Sequence, residues 1–467
     1  MRFRDYILIL LALLPVFSFG QNDTTVLSFE AYMAIVREHH PMAMQANLQL
    51  KKGSAQLLNA RGGFDPKVFT DFAQKNFKGK EYYGLLNGGV KVPTWFGLEL
   101  QAGYEQNDGV FLNPEDNTPI AGLWHAGISV PIGQGLFIDQ RRAELAQAKI
   151  YVQSTEAERQ LLFNELLYMA GKAYWNWFMA YSTQQVYREA VALSQQRLDA
   201  VKQGVLFGDR PAIDTLEAGI QVQNRQLGLQ QAQLDYANTT ALISVYLWLE
   251  GMIPLEMEEG TVPVAMETLS GSDVNQSLYV QLDTLIANHP MMRQYQYKLD
   301  QLEINKRLRQ EQLKPMLNLK YNALTEPVNN DPIASYTTNN YTWGVQFAMP
   351  IFLRKERGKL QMADLKIQET EFEMVQKNAS MMYKANASLN DWSTSRQQVQ
   401  LYTQTVKDYN GLLNGERQLF NRGESSLFMV NSREVGYINA QIKLIELLAK
   451  NQKATLATNY SLGLLEP

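Results

Sequence analysis

The side chains that could carry out catalysis or bind a metal ion are few and scattered along this sequence of 467 residues. Cysteine is absent, and the histidines are His39, His40, His125 and His289. None has an acidic partner at the spacing of a catalytic pair or a metal-binding helix, and the sequence contains neither a nucleophile elbow nor a phosphate-binding loop. Without cysteine, disulfides, thiolate ligands and a lipid anchor on cysteine are excluded. We therefore expect no catalytic residue, no cofactor and no metal site.

Two of the histidines belong to an internal repeat. His40-Pro41-Met42 recurs as His289-Pro290-Met291, at an offset of 249 positions. A residue before proline avoids helical geometry, whereas proline suits the first position of a helix, so each His-Pro pair predicts a helix start. Val130-Pro131-Ile132 recurs as Met349-Pro350-Ile351 at an offset of only 219, so the first copy carries 30 additional residues between the two motifs. The chain is thus predicted to contain two tandem halves.

Two stretches without proline are long enough for unusually long helices. The first, Asp139 to Phe207, would measure about 100 Å as a helix. It would reverse at residues 208–211, which include Gly208 and Pro211, and return as far as Trp248. The second would run from Arg354 to Phe420, reverse at residues 421–425 and return to Leu462. Apolar residues recur along them at intervals of three and four, which is typical of coiled-coil packing.

In the regions before these helices, apolar and polar residues alternate with the two-residue period of a β-strand. The alternation is clearest at residues 96–105, 124–132, 317–323 and 341–351. Residues 82–92 and 96–105 are predicted to form one additional hairpin around Pro93-Thr94-Trp95. We expect four strands in the first half and two in the second, with lengths that suit tilted strands crossing a membrane. A soluble sandwich with packed apolar faces is the alternative.

The N-terminus predicts the compartment. A basic start at residues 1–4, an apolar run at 6–16 and small residues before Gln21 are typical of a secretory signal peptide. The apolar run is shorter than the roughly 20 residues of a membrane-spanning helix, which argues against a retained anchor. A net charge of -4 without a basic stripe argues against nucleic acid as a partner. If the chain spans a membrane, it would have to do so with β-strands. Several copies would then share the wall of one barrel, because lipid does not tolerate an open sheet edge.

The order and spacing of these features resemble the TolC-type outer membrane efflux protein family, from Leu27 to Leu464. The resemblance implies an α+β membrane protein with two tandem repeats of helices, β-strands and very long antiparallel helical hairpins. Three copies of such a chain would share a transmembrane β-barrel and a periplasmic α-helical barrel. The implied function is the outer membrane exit duct of a tripartite efflux or type I secretion system. Its partners would be outer membrane lipid, a periplasmic adaptor (membrane fusion protein) and an inner membrane transporter, around a homotrimer.

The resemblance also suggests site residues at the two helical reversals. Contact with the adaptor at the periplasmic tip is expected from Leu206, Phe207, Gly208, Leu419, Phe420, Arg422 and Gly423. Asp408, Glu416 and Arg417 are the candidate gate. A ring of carboxylates in a narrow mouth would focus the electric field and favour cations. The alternatives are plain turn residues at the tip and a solvent-exposed helix face at the gate positions.

The predicted organisation has eight segments. They are a signal peptide (1–20), first-repeat leading helices (21–63), first-repeat strands with the additional hairpin (64–138), a first long helical hairpin (139–249), a crossover (250–273), second-repeat leading helices (274–314), second-repeat strands (315–353) and a second long helical hairpin with the C-terminus (354–467). The resemblance assigns the leading helices and the crossover to an equatorial collar. The additional hairpin either widens the shared barrel or projects outside it.

Two other functions fit parts of the pattern. A secreted or periplasmic coiled-coil scaffold or adhesin, whose strands form a soluble β cap, would be extracted without detergent. A passive porin would use the strands but would have no need of long periplasmic helices and would act independently of a pump.

Overall fold

The computed structural model describes residues 25–258, 260–269, 281–329, 331 and 333–465. The predicted signal peptide, the end of the predicted crossover and the start of the 274–314 segment lie outside this part of the chain. The described residues form two compact units. We call residues 44–164, 281–386 and 461–465 the sheet unit, and residues 25–43, 165–258, 260–269 and 387–460 the tip unit.

Helices account for most of the described chain. In chain order the elements are β1 (Val26–Leu27), α1 (Phe29–His39), α2 (Pro41–Gly62), β2 (Lys67–Phe77), β3 (Lys80–Pro93), β4 (Glu99–Asp108), β5 (Leu123–Pro131), α3 (Gln140–Leu206), α4 (Ile213–Ser244), β6 (Trp248–Leu249), β7 (Ile253–Pro254), β8 (Val262–Pro263), α5 (Leu282–Ala287), α6 (Pro290–Glu311), β9 (Met316–Thr325), β10 (Tyr341–Ala348), α7 (Arg354–Asn421) and α8 (Leu427–Ser461). Short 3-10 helices at Pro114–Asp116 and Met266–Thr268 lie in the connections. The two longest helices, α3 with 67 residues and α7 with 68, each begin in the sheet unit and end in the tip unit.

The first long hairpin ends earlier than expected. Helix α4, predicted to continue to Trp248, stops at Ser244 because the N–H groups of residues 245–247 donate to carbonyls three residues earlier, as in a 3-10 turn. Trp248 then pairs with Pro254 in the short antiparallel pair β6–β7. This part of the chain therefore leaves the helix one turn before the predicted position.

The turn inside the additional hairpin is longer than expected. Strand β4, predicted to begin at Phe96, begins at Glu99. The carbonyl of Leu98 accepts hydrogen bonds from both the N–H and the hydroxyl of Thr94, at 2.8 and 2.7 Å. This turn occupies the residues expected to start the strand. The strand expected at residues 341–351 likewise ends at Ala348.

Six strands of the sheet unit form one antiparallel sheet, in the order β10-β9-β5-β4-β3-β2. The first half of the chain supplies four of these strands and the second half supplies two, joined where β5 pairs with β9. Directly paired residues of antiparallel strands project to the same face. The two-residue alternation therefore produces one apolar and one polar face across the whole sheet.

Both His-Pro pairs start a helix, as the sequence predicts. Pro41 is the first residue of α2 and Pro290 the first residue of α6. In each case the histidine acts as an N-cap: His40 Nδ1 accepts a hydrogen bond from the N–H of Met42 at 3.1 Å, and His289 Nδ1 accepts one from Met291 at 3.0 Å. Only an imidazole that is unprotonated at Nδ1 can accept this hydrogen bond.

The cap at His289 predicts acid sensitivity of the fold. Burial, helped by the charges of Arg293 and Lys377, lowers the pKa of His289 from 6.5 to about 4. A histidine whose pKa is depressed by folding binds a proton more readily in the unfolded state. Its contribution to stability is therefore fully present above pH 6.5 and is lost as the pH falls towards 4. We expect protonation of this single group to lower the free energy of unfolding by about 2–3 kcal/mol across that pH interval.

The measurement is urea unfolding at pH 7.5 and pH 4.5 in the same detergent. The variant His289→Asn keeps an acceptor at the cap position but has no titratable group. It should show a smaller loss of unfolding free energy between the two pH values than the wild type. An identical loss in both proteins would assign the acid sensitivity to other residues.

Aromatic side chains form the centre of the tip unit. Tyr32 of α1 and Tyr174, Trp177 and Phe178 of α3 are fully buried. The hydroxyl of Tyr174 donates to the carbonyl of Leu27 at 2.8 Å. Burial raises the pKa of Tyr174 far above its ordinary value, so the hydroxyl remains a donor at physiological pH.

Candidate functional site

The two helical reversals in the tip unit have the same backbone geometry. After α3, the N–H of Gly208 donates to the carbonyl of Val205 and the N–H of Asp209 donates to that of Gly204. After α7, Gly423 and Glu424 make the equivalent pair of hydrogen bonds to Phe420 and Leu419. Each pair is a Schellman motif, and each glycine adopts a positive φ, +80° and +79°, which other residues rarely adopt.

The shared turn shows which tip residues correspond. Counted from the glycine, Leu206 and Phe207 stand where the second reversal has Asn421 and Arg422. Leu419 and Phe420 stand two residues earlier, where the first reversal has Gly204 and Val205. The two Leu-Phe pairs are therefore not equivalent, although their letters match in sequence. Leu206 and Phe207 are 78% and 77% exposed, so the first reversal has two apolar side chains on its surface.

Phe420 belongs to the helix packing behind the second reversal. Together with Val205 it packs against a buried cluster of Leu198, Val201, Ala218, Val222 and Leu427. The Arg210 guanidinium lies 4.4 Å from the centre of the Phe420 ring, and Arg210 also pairs with Asp214 at 3.6 Å. Its partial burial gives Phe420 a role in joining the two hairpins. Leu419, Arg422 and Gly423 remain exposed.

The three candidate gate residues lie in different environments on α7. Asp408 is exposed and accepts a hydrogen bond from Gln404, one turn earlier on the same helix, at 2.8 Å. Glu416 is mostly buried and pairs with Arg433 of α8 at 3.5 Å. Arg417 pairs with Glu434 of α8, also at 3.5 Å. Glu416 and Arg417 thus hold α7 to α8, and Asp408 is the one of the three whose charge is not engaged by another helix.

A buried ion network joins all four helices of the tip unit that flank the reversals. Arg197 of α3 binds Glu434 of α8 through both terminal nitrogens, with Nη2 3.1 Å from Oε1. Arg197 also donates to Asn431 at 3.0 Å, and Asn431 donates to Glu217 of α4 at 2.9 Å. Arg417 of α7 completes the network at Glu434. The carboxylate of Glu434 is therefore shared by the two hairpins, and its side chain is only 4% exposed.

A second buried arginine lies on α4 of the tip unit. Arg225 is 8% exposed, and its Nε and Nη2 atoms have no hydrogen-bond partner. Burial lowers the pKa of Arg225, while the negative charge of Glu434 opposes that shift. Glu434 thus provides electrostatic compensation for Arg225 as well as direct contacts to Arg197 and Arg417. The sequence does not predict this network, because charged residues at buried positions of a helix have the same spacing as those of a solvated helix face.

Helix α4 has two apolar sides. Ala218, Val222 and Ala232 are buried within the tip unit. On the opposite side, exposed apolar residues recur with heptad spacing; we call Ile213, Leu216, Ile220, Leu227 and Leu234 the α4 stripe. They are between 53% and 69% exposed. A soluble helix ordinarily has polar residues on the side away from its core, so the stripe is an unusual exposed apolar surface.

The described residues contain no group of three or more histidine or acidic side chains placed to hold a metal ion. None of the helices in the described ranges combines the length and apolarity needed to span a membrane.

Comparisons with known proteins agree with this architecture. Residues 282–463 match the model of a family described as outer membrane efflux protein. No curated protein sequence matches the chain. Among solved structures, the fold is similar to the CmeC outer membrane channel of Campylobacter jejuni, with 12% identity, a TM-score of 0.68 and coverage of 94% of this chain and 86% of that one.

Two further structures have the same fold. The MtrE outer membrane channel of Neisseria gonorrhoeae, in its open state, is 12% identical with a TM-score of 0.68, covering 93% of this chain and 89% of that one. The outer membrane protein VceC of Vibrio cholerae is 13% identical with a TM-score of 0.64, covering 93% of this chain and 95% of that one. The predicted fold class, with long helices and a curled sheet, is therefore confirmed. Residues 282–463 thus match the outer membrane efflux protein family in sequence, and the fold of most of the chain is similar to that of solved outer membrane channels.

Proposed function

We propose that the protein is the outer membrane exit duct of a tripartite efflux or type I secretion system. It would carry substrate from an inner membrane pump and a periplasmic adaptor to the cell exterior. The observation that carries the proposal is the presence of an amphipathic six-stranded sheet and two very long helical hairpins in a chain whose residues 282–463 match the outer membrane efflux protein family. The sheet faces offer one surface to lipid and one to water, and the duct performs no catalysis.

We infer a homotrimer, with its sheet in the outer membrane and its helices in the periplasm. The α4 stripe supports assembly, because five exposed apolar side chains on one helix side need a cover. Exposed apolar residues also recur along α7, at Met362, Leu365, Phe372 and Val375 of the sheet unit. The edges of the sheet also need partners, because their outer backbone N–H and C=O groups would be unpaired in lipid. The number three rests on the family resemblance.

This function can be tested by detergent extraction of the protein and by the mass of the extracted assembly. The mature protein should be found in the outer membrane fraction, leave it only with detergent, and have the mass of three chains by native mass spectrometry. Deleting it should abolish export by the pump whose adaptor binds it. A protein recovered without detergent as a monomer or dimer would instead support the secreted scaffold, and permeation that persists without any pump would support a passive porin.

We assign adaptor contact chiefly to the first reversal. Leu206 and Phe207 are the most exposed apolar pair at either reversal, and the buried packing of Phe420 leaves the second with less apolar surface. Apolar side chains of this kind are typical anchors of protein interfaces. Arg422 and Gly423 would flank the contact. The gate role is assigned to Asp408, whose carboxylate is exposed in one chain and would form a ring of three in the assembly.

The variant Phe207→Glu is expected to lose adaptor binding, since a buried unpaired charge at an interface centre costs several kcal/mol. Drug or substrate export should fall at least 10-fold, while the detergent-extracted oligomer keeps its mass. The matched control is Ile120→Glu, because Ile120 is 99% exposed and belongs to the connection between β4 and β5 of the sheet unit. If the Phe207→Glu protein captured the adaptor at the wild-type level, Phe207 would not be part of the contact.

A further inference from the structure

The six-stranded sheet has one apolar face that continues across every strand. Successive pairings connect one row of directly opposed residues from the last strand to the first: Tyr341, Ala323, Ala126, Ala102, Val90 and Val68. The next row is Trp343, Tyr321, Ile128, Leu100 and Val92. Leu100, Val90 and Val92 belong to β3 and β4, the additional hairpin. Its apolar residues thus extend the face begun by the strands common to both halves.

The opposite face is polar along the same strands. One of its rows is Thr342, Asn322, Gly127, Gln101, Lys91 and Lys67. Gln101 of the additional hairpin donates to Asn322 of β9 at 2.6 Å, and Asn322 donates to Thr342 of β10 at 3.3 Å. These hydrogen bonds pass over β5 at Gly127, where a side chain would block them. The additional hairpin is therefore bonded into the polar face as well as the apolar one.

The polar face is also the crowded side of the sheet. A Cβ atom added to Gly127 of β5 would lie 2.1 Å from the carbonyl oxygen of Tyr321, and one added to Gly89 of β3 would lie 2.4 Å from that of Ala102. Such close approach of neighbouring backbones is typical of the concave side of a curled sheet. Gly89 lies in the additional hairpin, so β3 follows the same curvature as β5. A Cβ atom added to Gly103 of β4 would lie 2.6 Å from the ring of His125 in β5, so the hairpin is equally close to the strand beside it.

Strands β2 and β10 each have one free edge within the described chain. All five pairings in the sheet are antiparallel, so strand direction alternates from one edge to the other. With six strands, the two edge strands run in opposite directions. Free edges of opposite direction can form an antiparallel pair between two copies, whereas in lipid an unpaired edge is not tolerated.

We propose that all six strands, including β3 and β4, form the wall of the shared barrel, and that β2 of each copy pairs with β10 of the next. The proposal rests on the outer membrane function proposed above. Three copies would close an 18-stranded barrel, a size at which other barrels hold an aqueous channel. The polar face, with Lys67, Lys91, Lys320, Glu99 and Glu105, would line the lumen. The apolar face would contact lipid.

Cysteine cross-linking tests the pairing of copies, and the chain suits it because it contains no cysteine. Thr342→Cys of β10 is combined in turn with Phe69→Cys, Asp71→Cys and Ala73→Cys of β2, which all lie on the polar face. After oxidation in the outer membrane, at least one combination should give covalent dimers and trimers on a denaturing gel. The scan along β2 is needed because barrel closure shifts the register.

The matched control combines Thr342→Cys with Asn322→Cys, which are directly paired within one chain and should migrate as a monomer after oxidation. Images of the detergent-extracted oligomer should show six strands per copy. An oligomer that forms but has four wall strands per copy would overturn the six-stranded wall, whether or not β2 and β10 cross-link, and would leave the duct function intact. An oligomer without a β2–β10 cross-link in any combination would overturn the pairing of these edges. A protein that forms no membrane oligomer would overturn both.

A deletion tests, independently of the cross-linking, whether the additional hairpin is part of the barrel wall. Removal of residues 80–108 takes out β3 and β4 together and leaves β2 and β5 joined through residues 109–122, with their directions still alternating. Barrel diameter grows roughly linearly with strand number, so the barrel of this variant should shrink to about two thirds of its diameter. An unchanged diameter would place the hairpin outside the wall. If the variant does not assemble, the strand count of the full-length oligomer decides whether the hairpin lies in the wall.

Discussion

Replacing Glu434 by alanine is expected to lower the free energy of unfolding by about 3–5 kcal/mol. The variant removes the carboxylate that Arg197 and Arg417 both contact, and it removes the negative charge that compensates Arg225. Glu434 is 4% exposed, so water cannot take its place at these guanidinium groups without opening the helix packing. Truncating one partner of a buried ion pair is costly mainly because the opposite charge stays buried and unpaired.

The control is Glu446→Ala on the same helix. Glu446 also pairs with a basic residue, Lys443, at 2.9 Å, but its side chain is 47% exposed. Exposed pairs one turn apart contribute only about 0.3–0.5 kcal/mol. Urea unfolding of both variants, at equal protein concentration because assembly adds to stability, measures the difference. If both variants lost similarly small amounts of unfolding free energy, the charges near Glu434 would be solvated.

A double variant separates charge from packing. Arg197→Met combined with Glu434→Met replaces the central pair by apolar side chains of similar length. Such replacements are often neutral or stabilising, so the double variant should recover most of the stability lost in Glu434→Ala. Recovery would assign the loss to the unpaired guanidinium of Arg197. A double variant as unstable as Glu434→Ala would indicate that Arg417 and Arg225 carry the larger share.

The fold was predictable because its elements have simple periods. Long stretches without proline predict α3 and α7, and a two-residue alternation predicts β4, β5, β9 and β10. Helix ends were less predictable. The segment after Ser244 has residues suited to helix, and its departure into β6 depends on pairing between Trp248 and Pro254. Contacts between distant residues decide such boundaries, and a single sequence does not record them.

The candidate site was only partly predictable, for a different reason. Gly208 and Gly423 mark the reversals because a positive φ favours glycine. The neighbouring Leu-Phe pairs suggested equivalent tips, but the turn hydrogen bonds place Phe207 at an exposed position and Phe420 against the helices. The ion network at Glu434 had no sequence signal beyond charged residues at intervals of three or four. Those intervals are equally common on solvated helix faces.

The α4 stripe carries the second large prediction. Leu216→Asp combined with Ile220→Asp is expected to abolish the oligomer, because each copy would bury two carboxylates where it now buries apolar side chains. Each of these residues is more than half exposed in the single chain, and burial of one such side chain contributes about 1.5–3 kcal/mol. Two lost contacts in each copy should weaken association more than 100-fold, before the desolvation of the carboxylates is counted.

The side chains of the stripe point away from the buried face of α4, so the change should leave the fold of one chain nearly intact. This can be checked by circular dichroism alongside native mass spectrometry in detergent. The matched control combines Gln226→Asp with Gln233→Asp, since both residues are exposed on α4 outside the stripe and the pair adds the same two charges. The double variant should run as a monomer and the control as the full oligomer. If the double variant kept the oligomer but lost export, the stripe would bind another protein, and the assembly of copies would depend on the sheet edges and α7.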